Sequence, residues 1–250
     1  MDKSISRGLV AFGVLMALGM SLAAFILGVQ TKHIGSAKQS ITVKGVAEQP
    51  VKATKAEWQL VVRSNREKPQ ASLDALRAER AALDAFLQEY GFNAATLYQS
   101  AESVEPNMVY ESNASGRSIE VQRGYNGRQI LSVRTEDLEK VVAARAKIVE
   151  FKAKGHSVDG NDLDFLVGNL DEIKLSLIGA ATQNAKARAL EFAKNGDVAV
   201  GVMRAASQGT FDILSANSKS EEDAYGGNYD TSSIDKIARV VVTIEYEIEK

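Results

Sequence analysis

Residues Arg117–Arg134 read RSIEVQRGYNGRQILSVR, and the fold turns on whether Asn126-Gly127 reverses the chain there. In isolation, Asn-Gly between apolar runs is a strong hairpin signal, because both residues tolerate positive φ. Parity argues against it. Ile119, Val121, Tyr125, Leu131 and Val133 are all odd-numbered, so one apolar face continues straight through the pair, and a two-residue turn would break that register. The stretch is therefore read as one long strand, with Gly124 or Gly127 supplying a bend or bulge. Fully extended it would reach roughly 60 Å, more than a small domain needs, and the overhang would leave an edge open to another chain.

Upstream, ITVKGVAEQPVKATKAEWQLVV from Ile41 reads as two strands meeting near Pro50. The second carries Ala56, Trp58, Leu60 and Val62 on one face. Pro69 opens a helix whose stripe is Leu73, Leu76, Leu83, Phe86, Leu87 and Tyr90. Gly91 stops it, and Glu79, Arg80, Asp84 and Gln88 form its solvated face. A strand spans about Leu97 to Val109. Downstream, Thr135 is the expected cap of a second helix reaching about Lys154, with Leu138, Val141, Val142, Ile148 and Val149 inward and Gly155 as the stop. A short strand LDFLVG follows, then a helix from about Asp171 to Asn195. A strand over Val198–Ala206 leads into a long polar loop. The last strand runs from about Ile234 to Ile248, its even positions Val240, Val242, Ile244, Tyr246 and Ile248 forming one apolar face. Paired strands separated by helices predict an α+β fold, with a largely antiparallel sheet and helices on one face.

The amino terminus is different in kind. Gly8–Val29, GLVAFGVLMALGMSLAAFILGV, carries no charge. At about 1.5 Å per residue it reaches about 33 Å, enough to cross a hydrocarbon core of about 30 Å. Lys3 and Arg7 precede it, so the terminus is placed in the cytoplasm and the rest outside. A signal peptide would have a shorter apolar region and an A-x-A-like cleavage site, and GVQTKHIGSAK is a poor one. Residues 1–30 are thus read as a cytoplasmic tip and transmembrane anchor, 31–40 as a linker, and 41–250 as an ectodomain. Gly13, Ala17, Ser21, Ala24 and Gly28 form a small-residue stripe along the anchor. It is either a helix-packing seam or the ordinary composition of a membrane helix.

In the helix over AATQNAKARALEFAKNG, Ala180–Gly196, the expected seam is Leu175, Ile178, Thr182, Ala185, Ala189 and Phe192. Alanine in its middle removes the side-chain layer that would hold the helix off its neighbour, so close packing against the sheet is expected. Four stretches in this order resemble the SIMPL-domain family of bacterial periplasmic and envelope proteins. They are ITVKGVAEQPVKATKAEWQLVV, GFNAATLYQSAESVEPNM, GYNGRQILSVRTEDLEKV and AATQNAKARALEFAKNGDVAVGVMRAASQG. One departure is Lys55-Ala56, where many members have Pro-Asp. The resemblance implies an α+β ectodomain, an envelope location and, in some relatives, large hollow homo-oligomers. It brings no agreed catalytic residues.

Little chemistry is written in the sequence. A net charge of −2 gives no basic face for nucleic acid, and the absence of cysteine removes disulfides, thiolate nucleophiles and cysteine metal sites. His33 and His156 lie far apart in sequence. Asp159–Asp164, DGNDLD, lacks the glutamate of a calcium loop and reads as a solvated turn. Lys219–Ser233 reads as a flexible loop in which Tyr225 and Tyr229 could anchor a partner. Arg123, Tyr125 and Arg128 on the long strand form either an exposed ladder or an anion-binding surface. No hydrolase elbow, phosphate loop, dinucleotide fingerprint or zinc-protease motif occurs, and no cofactor or metal is expected. The reading is a non-enzymatic inner-membrane protein, single-pass with its ectodomain in the periplasm or outside the cell, self-assembling into a hollow homo-oligomer with a structural and stress-protective role. An envelope ligand-binding or chaperone-like module and an enzyme with an inter-subunit site are the alternatives. The anchor should be retained in the mature protein. N-terminal sequencing of the membrane fraction checks this, and a chain beginning beyond Val29 would contradict it.

Overall fold

The computed structural model describes residues 12–26, 39–112, 117–217 and 227–249, the side chain of Asn161 excepted. A helix over residues 12–26, α1, comes first. It is followed by β1 (Ser40–Lys52), β2 (Lys55–Arg66), α2 (Pro69–Glu89), a 3-10 turn (Ala94–Thr96), β3 (Tyr98–Gln99) and β4 (Ser103–Ser112). Then come β5 (Ser118–Thr135), α3 (Leu138–Ala153), β6 (Val158–Leu166), α4 (Leu170–Asn195), β7 (Ala199–Ser215) and β8 (Asp235–Glu249). The fold is α+β. Instead of one sheet there are two, a three-stranded one in the order β1-β8-β7 and a five-stranded one in the order β3-β5-β2-β6, with β4 beside β5. The chain divides into two compact units that cut across these elements.

The larger unit comprises Val46–Ala180 and Gly209–Val241. Its five-stranded sheet is antiparallel at every pairing. Ala56, Trp58, Leu60 and Val62 alternate inward from β2 and are buried. Leu76, Leu83, Phe86 and Leu87 of α2, and Val141, Ala144, Ile148 and Phe151 of α3, close over them in one core, so both helices lie on the same face. Phe86 and Phe151 join the two helices at 4.9 Å between ring centroids.

The strand that decided the reading is continuous. β5 runs through Asn126-Gly127, with Arg66 paired to Tyr125 and Ala56 to Thr135. The two glycines serve different needs. Gly124 has φ +85°, opposite the register shift between Pro106 and Met108, and is the bulge. Gly127 lacks a side chain because a Cβ there would overlap the Ser64 hydroxyl and come within 3.3 Å of Leu76, so α2 can approach closely. The overhang is not unpaired as expected: β4 covers one side of it, from Met108 opposite Gln122 to Ser112 opposite Ser118.

Several boundaries differ from the reading. β1 continues through Pro50, and the chain leaves it at Ala53 and Thr54. Leu97–Val109 divides into β3 and β4. The cap of α3 is Asp137, whose carboxylate accepts from the Lys140 amide at 3.1 Å, because Thr135 is still paired with Ala56 at the end of β5. The inner face also differs: Val142 and Val149 are 41% and 68% exposed, while Ala144 and Phe151 are buried. β6 begins at Val158 and so contains DGNDLD, and β7 continues to Ser215, well past Ala206.

The smaller unit is drawn from the described parts of Met1–Gly45, Ala181–Gln208 and Val242–Lys250. Among the described residues no helix is long and apolar enough to cross a membrane. The helical residues 12–26 fall inside the expected anchor 8–29, whose two ends lie outside the described residues. Val242, Ile244 and Tyr246 are buried on the expected even face of β8. The alanines of α4 meet Gly45. A Cβ on Gly45 would overlap the Ala181 carbonyl oxygen and come within 2.8 Å of the Ala185 Cβ. Helix and strand backbones therefore touch, which is why the helix presents so little bulk.

The buried row of α4 is Ile173, Leu177, Ala181, Ala185, Ala189 and Ala193, a strict interval of four. Of the expected seam, Ala185 and Ala189 are in this row, Ile178 and Thr182 are half-buried beside it, and Leu175 and Phe192 are 71% and 64% exposed. An i±4 ridge is inclined to the helix axis, whereas mixed steps of three and four follow the axis, so the two lines diverge at the ends. Ala185→Leu should cost about 1–3 kcal/mol by overpacking, and Lys186→Ala on the exposed side less than about 0.5 kcal/mol. Urea unfolding measures both, and a leucine variant as stable as the parent would contradict the contact.

Candidate functional site

With α2 and α3 on one face of the five-stranded sheet, strand alternation turns the polar residues onto the other. β2 contributes Glu57, Gln59, Arg63 and Asn65, with buried Val61 among them. β5 contributes Asn126, Arg128 and Arg134, β4 Ser103 and Glu105, and β6 Asp159, Asp162 and Asp164. Arg63 stands directly opposite Arg128. Like charges facing across a strand pair repel, and here each arginine is treated differently. Arg63 donates through Nε to Asp159 Oδ2 at 2.9 Å. The Arg128 guanidinium forms no hydrogen bond or ion pair among the described residues, and neither does the Asp162 carboxylate. Two clefts meet at the arginine pair. One, of about 320 Å³, is lined by Arg63, Ser103, Glu105, Asn126 and Arg128. The other, of about 350 Å³, is lined by Gln59, Val61, Arg63, Arg128, Asp159 and Asp162.

The acidic side of this face depends on a bulge. Asp162 pairs with Gln59 and Asp159 with Val61, so β6 gains a residue opposite Leu60. Val158 and Leu163 are consequently both buried although they differ in parity. Gly160 sits in the bulge with its carbonyl accepting the Trp58 indole N–H at 2.8 Å. A Cβ on Gly160 would come within 2.6 Å of Leu60 Cδ2 and 3.3 Å of Trp58 Cζ2. This is the physical reason that DGNDLD is strand and not a solvated turn.

A second polar cluster lies at the end of the same unit. Lys236 is 1% exposed, in the even-numbered row of β8 that also buries Ala238 and Val240. Its ammonium donates to the Asp230 carbonyl and, at 3.0 Å, to Asp230 Oδ2. The Asp230 carboxylate also accepts from the Ser232 amide at 3.1 Å, the Ser232 hydroxyl at 2.6 Å and the Ser233 hydroxyl. Burial alone would raise its pKa, but hydrogen bonds from Ser232, Ser233 and Lys236 outweigh that and hold the carboxyl well below the usual carboxylate range. The same segment ties together β6, the link between β1 and β2, and β7. Thr231 O accepts from the Phe165 amide at 2.7 Å, Ile234 O from the Ala53 amide at 2.9 Å, and Asn228 O from the Ile213 amide at 2.7 Å. Among the described residues, the hydrogen bonds to the Asp230 carboxylate come from Ser232, Ser233 and Lys236, so they hold the clasp together.

Gly13, Ala17, Ser21 and Ala24 are exposed on α1, and Gly28 and His33 lie outside the described residues. Arg123 is engaged by Glu111 through two bonds of 2.7 and 2.8 Å. Their mutual hydrogen bond, then their opposite charges, lower the Glu111 pKa and raise that of Arg123. Tyr125 is half-buried, so the cluster of Arg123, Tyr125 and Arg128 leaves only Arg128 available. In the loop 219–233, Tyr225 lies outside the described residues, and the Tyr229 hydroxyl accepts from the Val167 amide at 2.8 Å. His156 stacks on Phe151 at 4.0 Å and contacts Glu79 Oε2 through Nδ1 at 3.0 Å. Among the described residues no group of three metal-binding side chains gathers.

Arg63, Asp162, Asp230 and Lys236 were not singled out from sequence. The parity of β8 did carry the signal for Lys236, since Lys236, Ala238 and Val240 share a face.

Comparison with known proteins gives one family. Residues 41–245 match SIMPL, described as a protein of unknown function (DUF541). No curated protein matches the chain. Among solved structures, a hydrolase from Listeria innocua aligns at 15% identity over 85% of this chain and 96% of that one, with a TM-score of 0.14. A score so low bears on neither fold nor activity.

The clasp yields two expectations. Lys236→Met should destabilise by about 1–3 kcal/mol, because it leaves the Asp230 oxygens short of a donor. A folded pKa below the unfolded one stabilises above the ordinary aspartate value of about 4 and is lost as pH falls below it. The stability difference between the parent and Asp230→Asn should therefore shrink from pH 7 to pH 2, and a constant difference in chemical unfolding would contradict the clasp.

Proposed function

Since the chain belongs to the SIMPL family, whose function is not known, its role must be read from its own surfaces, and we propose a bacterial envelope protein that self-assembles into a closed, hollow homo-oligomer. In this reading residues 8–29 anchor it in the inner membrane as a single pass, with the ectodomain in the periplasm. Its partners are the lipid bilayer and further copies of itself, and not nucleic acid. The role is structural and stress-protective, not enzymatic, and calls for no cofactor.

The observation that carries the reading is β7. It is an edge strand of its sheet, and its residues 202–209 are all exposed. Val202 is 66% exposed and Met203 47%. A strand normally buries at least one face, and an open edge with apolar side chains invites pairing with another chain. The β4–β5 overhang supports the same reading. Beyond the Arg66–Tyr125 pair, β5 is paired among the described residues by β4 alone, and Met108, Tyr110 and Ile119 are 45%, 75% and 44% exposed. Closed symmetry satisfies such surfaces without growth into a fibre. An anchor of common orientation raises the effective concentration of subunits, and the Gly13–Ala24 stripe suits close approach of neighbouring anchors.

A second reading, an envelope ligand-binding module, is favoured by the clefts at Arg128. Mass photometry of the full-length protein in detergent separates assembly from a monomer. The parent should appear at a multiple of the chain mass, and Val202→Lys with Met203→Lys should return it to one-chain mass with unchanged far-UV circular dichroism. A parent at one-chain mass at micromolar concentration would overturn the proposal.

A further inference from the structure

We infer that the helix-free face of the five-stranded sheet binds a short zwitterionic peptide, with its carboxylate on Arg128 and its amino group at Asp162. Both charges are carried on rigid strands, and neither has a partner among the described residues. They line one cleft, with Val61 between them. Val61 is 8% exposed and offers an apolar floor for the middle of a ligand.

The register sets the length. Arg128 is level with Arg63, and Asp162 is level with Gln59 on the same central strand. With strands about 4.8 Å apart and about 3.3 Å per residue along each, the two Cα atoms lie roughly 16 Å from one another. The side chains take up part of that distance from both ends, leaving on the order of 10 Å between charges, the span of about three extended residues.

The surrounding charges set the ligand class. Arg63 is occupied by Asp159, which also has Lys152 at 3.7 Å. Glu105 lines the cleft on the other side of Arg128. A polyanion would meet Glu105, Asp159 and Asp162 and be repelled, whereas one carboxylate would find the unengaged fork of Arg128, with Ser103 and Asn126 beside it. A cationic group would find the unpaired Asp162. The site is complete within one chain, so its occupancy does not depend on assembly.

Triglycine is the probe, titrated calorimetrically into the full-length protein in detergent. Triglycine should bind the parent, and also the Val202→Lys, Met203→Lys double variant. Arg128→Gln, or amidation of the peptide carboxylate, should weaken binding about tenfold or more, the loss expected for a charge-assisted contact. Asp162→Asn and N-acetylation should do likewise. Amidation should cost nothing further in Arg128→Gln, nor acetylation in Asp162→Asn, because each pair removes the same contact. Both side chains are exposed, so the variants should keep the parent circular dichroism. Absence of heat with the parent at millimolar triglycine would overturn the inference. So would equal binding by Arg128→Gln, or weakening by the variants that the modified peptides do not reproduce.

Discussion

The hydrogen bond from the Trp58 indole to the Gly160 carbonyl, 2.8 Å and fully buried, is the contact on which the larger unit depends. It fixes the largest side chain of the core and at the same point holds the bulge in β6. Without that extra residue, the parity that buries Val158 and Gly160 would carry Asp162 and Asp164 into the core beside Leu60 and Trp58. Two unpaired carboxylates there would cost more than the unit could sustain. With it, Leu163 and Phe165 turn inward and the acids turn outward. One missing Cβ thus decides both the packing of one face and the charge of the other.

That dependence explains what the sequence could and could not tell. The course of β5 was legible through Asn126-Gly127, because Tyr125, Leu131 and Val133 keep one parity across the pair, although the bulge at Gly124 turns Ile119 and Val121 onto the other face. The even face of β8 was legible for the same reason. β6 was not, because a bulge changes parity midway and its acidic letters imitate a turn. The start of α3 was misplaced by two residues because Thr135 and Asp137 are both good caps, and only the pairing of Thr135 with Ala56 decides between them. In α4 the alanines announced a close approach, but the line of approach follows one inclined ridge, and only the position of Gly45 reveals which.

The candidate site was half legible. Arg128 stood out on the long strand, yet its neighbours came from register and not from sequence proximity. Arg63, Glu105 and Asp162 share its clefts from three other strands, and periodicity cannot say which strands are adjacent. Arg123, which seemed its equal in sequence, is removed from consideration by Glu111 on the neighbouring strand. Lys236 was passed over because lysine is read as solvated, although it occupies a buried register position and its charge is met by Asp230. Charged residues were misread where a partner distant in sequence neutralises or orients them.

The order β1-β8-β7 places the first described strand beside the last. Gly45 and the alanine row of α4 can meet as soon as α4 exists, but β1 has no neighbour in its sheet until residues 235–249 have been made. A chain synthesised from its amino terminus must therefore carry β1 as an unclaimed edge until β8 has emerged. Pairing across so long a stretch of sequence is slow to form. Completion of the three-stranded sheet thus waits on β8, and a chain truncated before β8 keeps an adhesive strand that a holdase would have to cover.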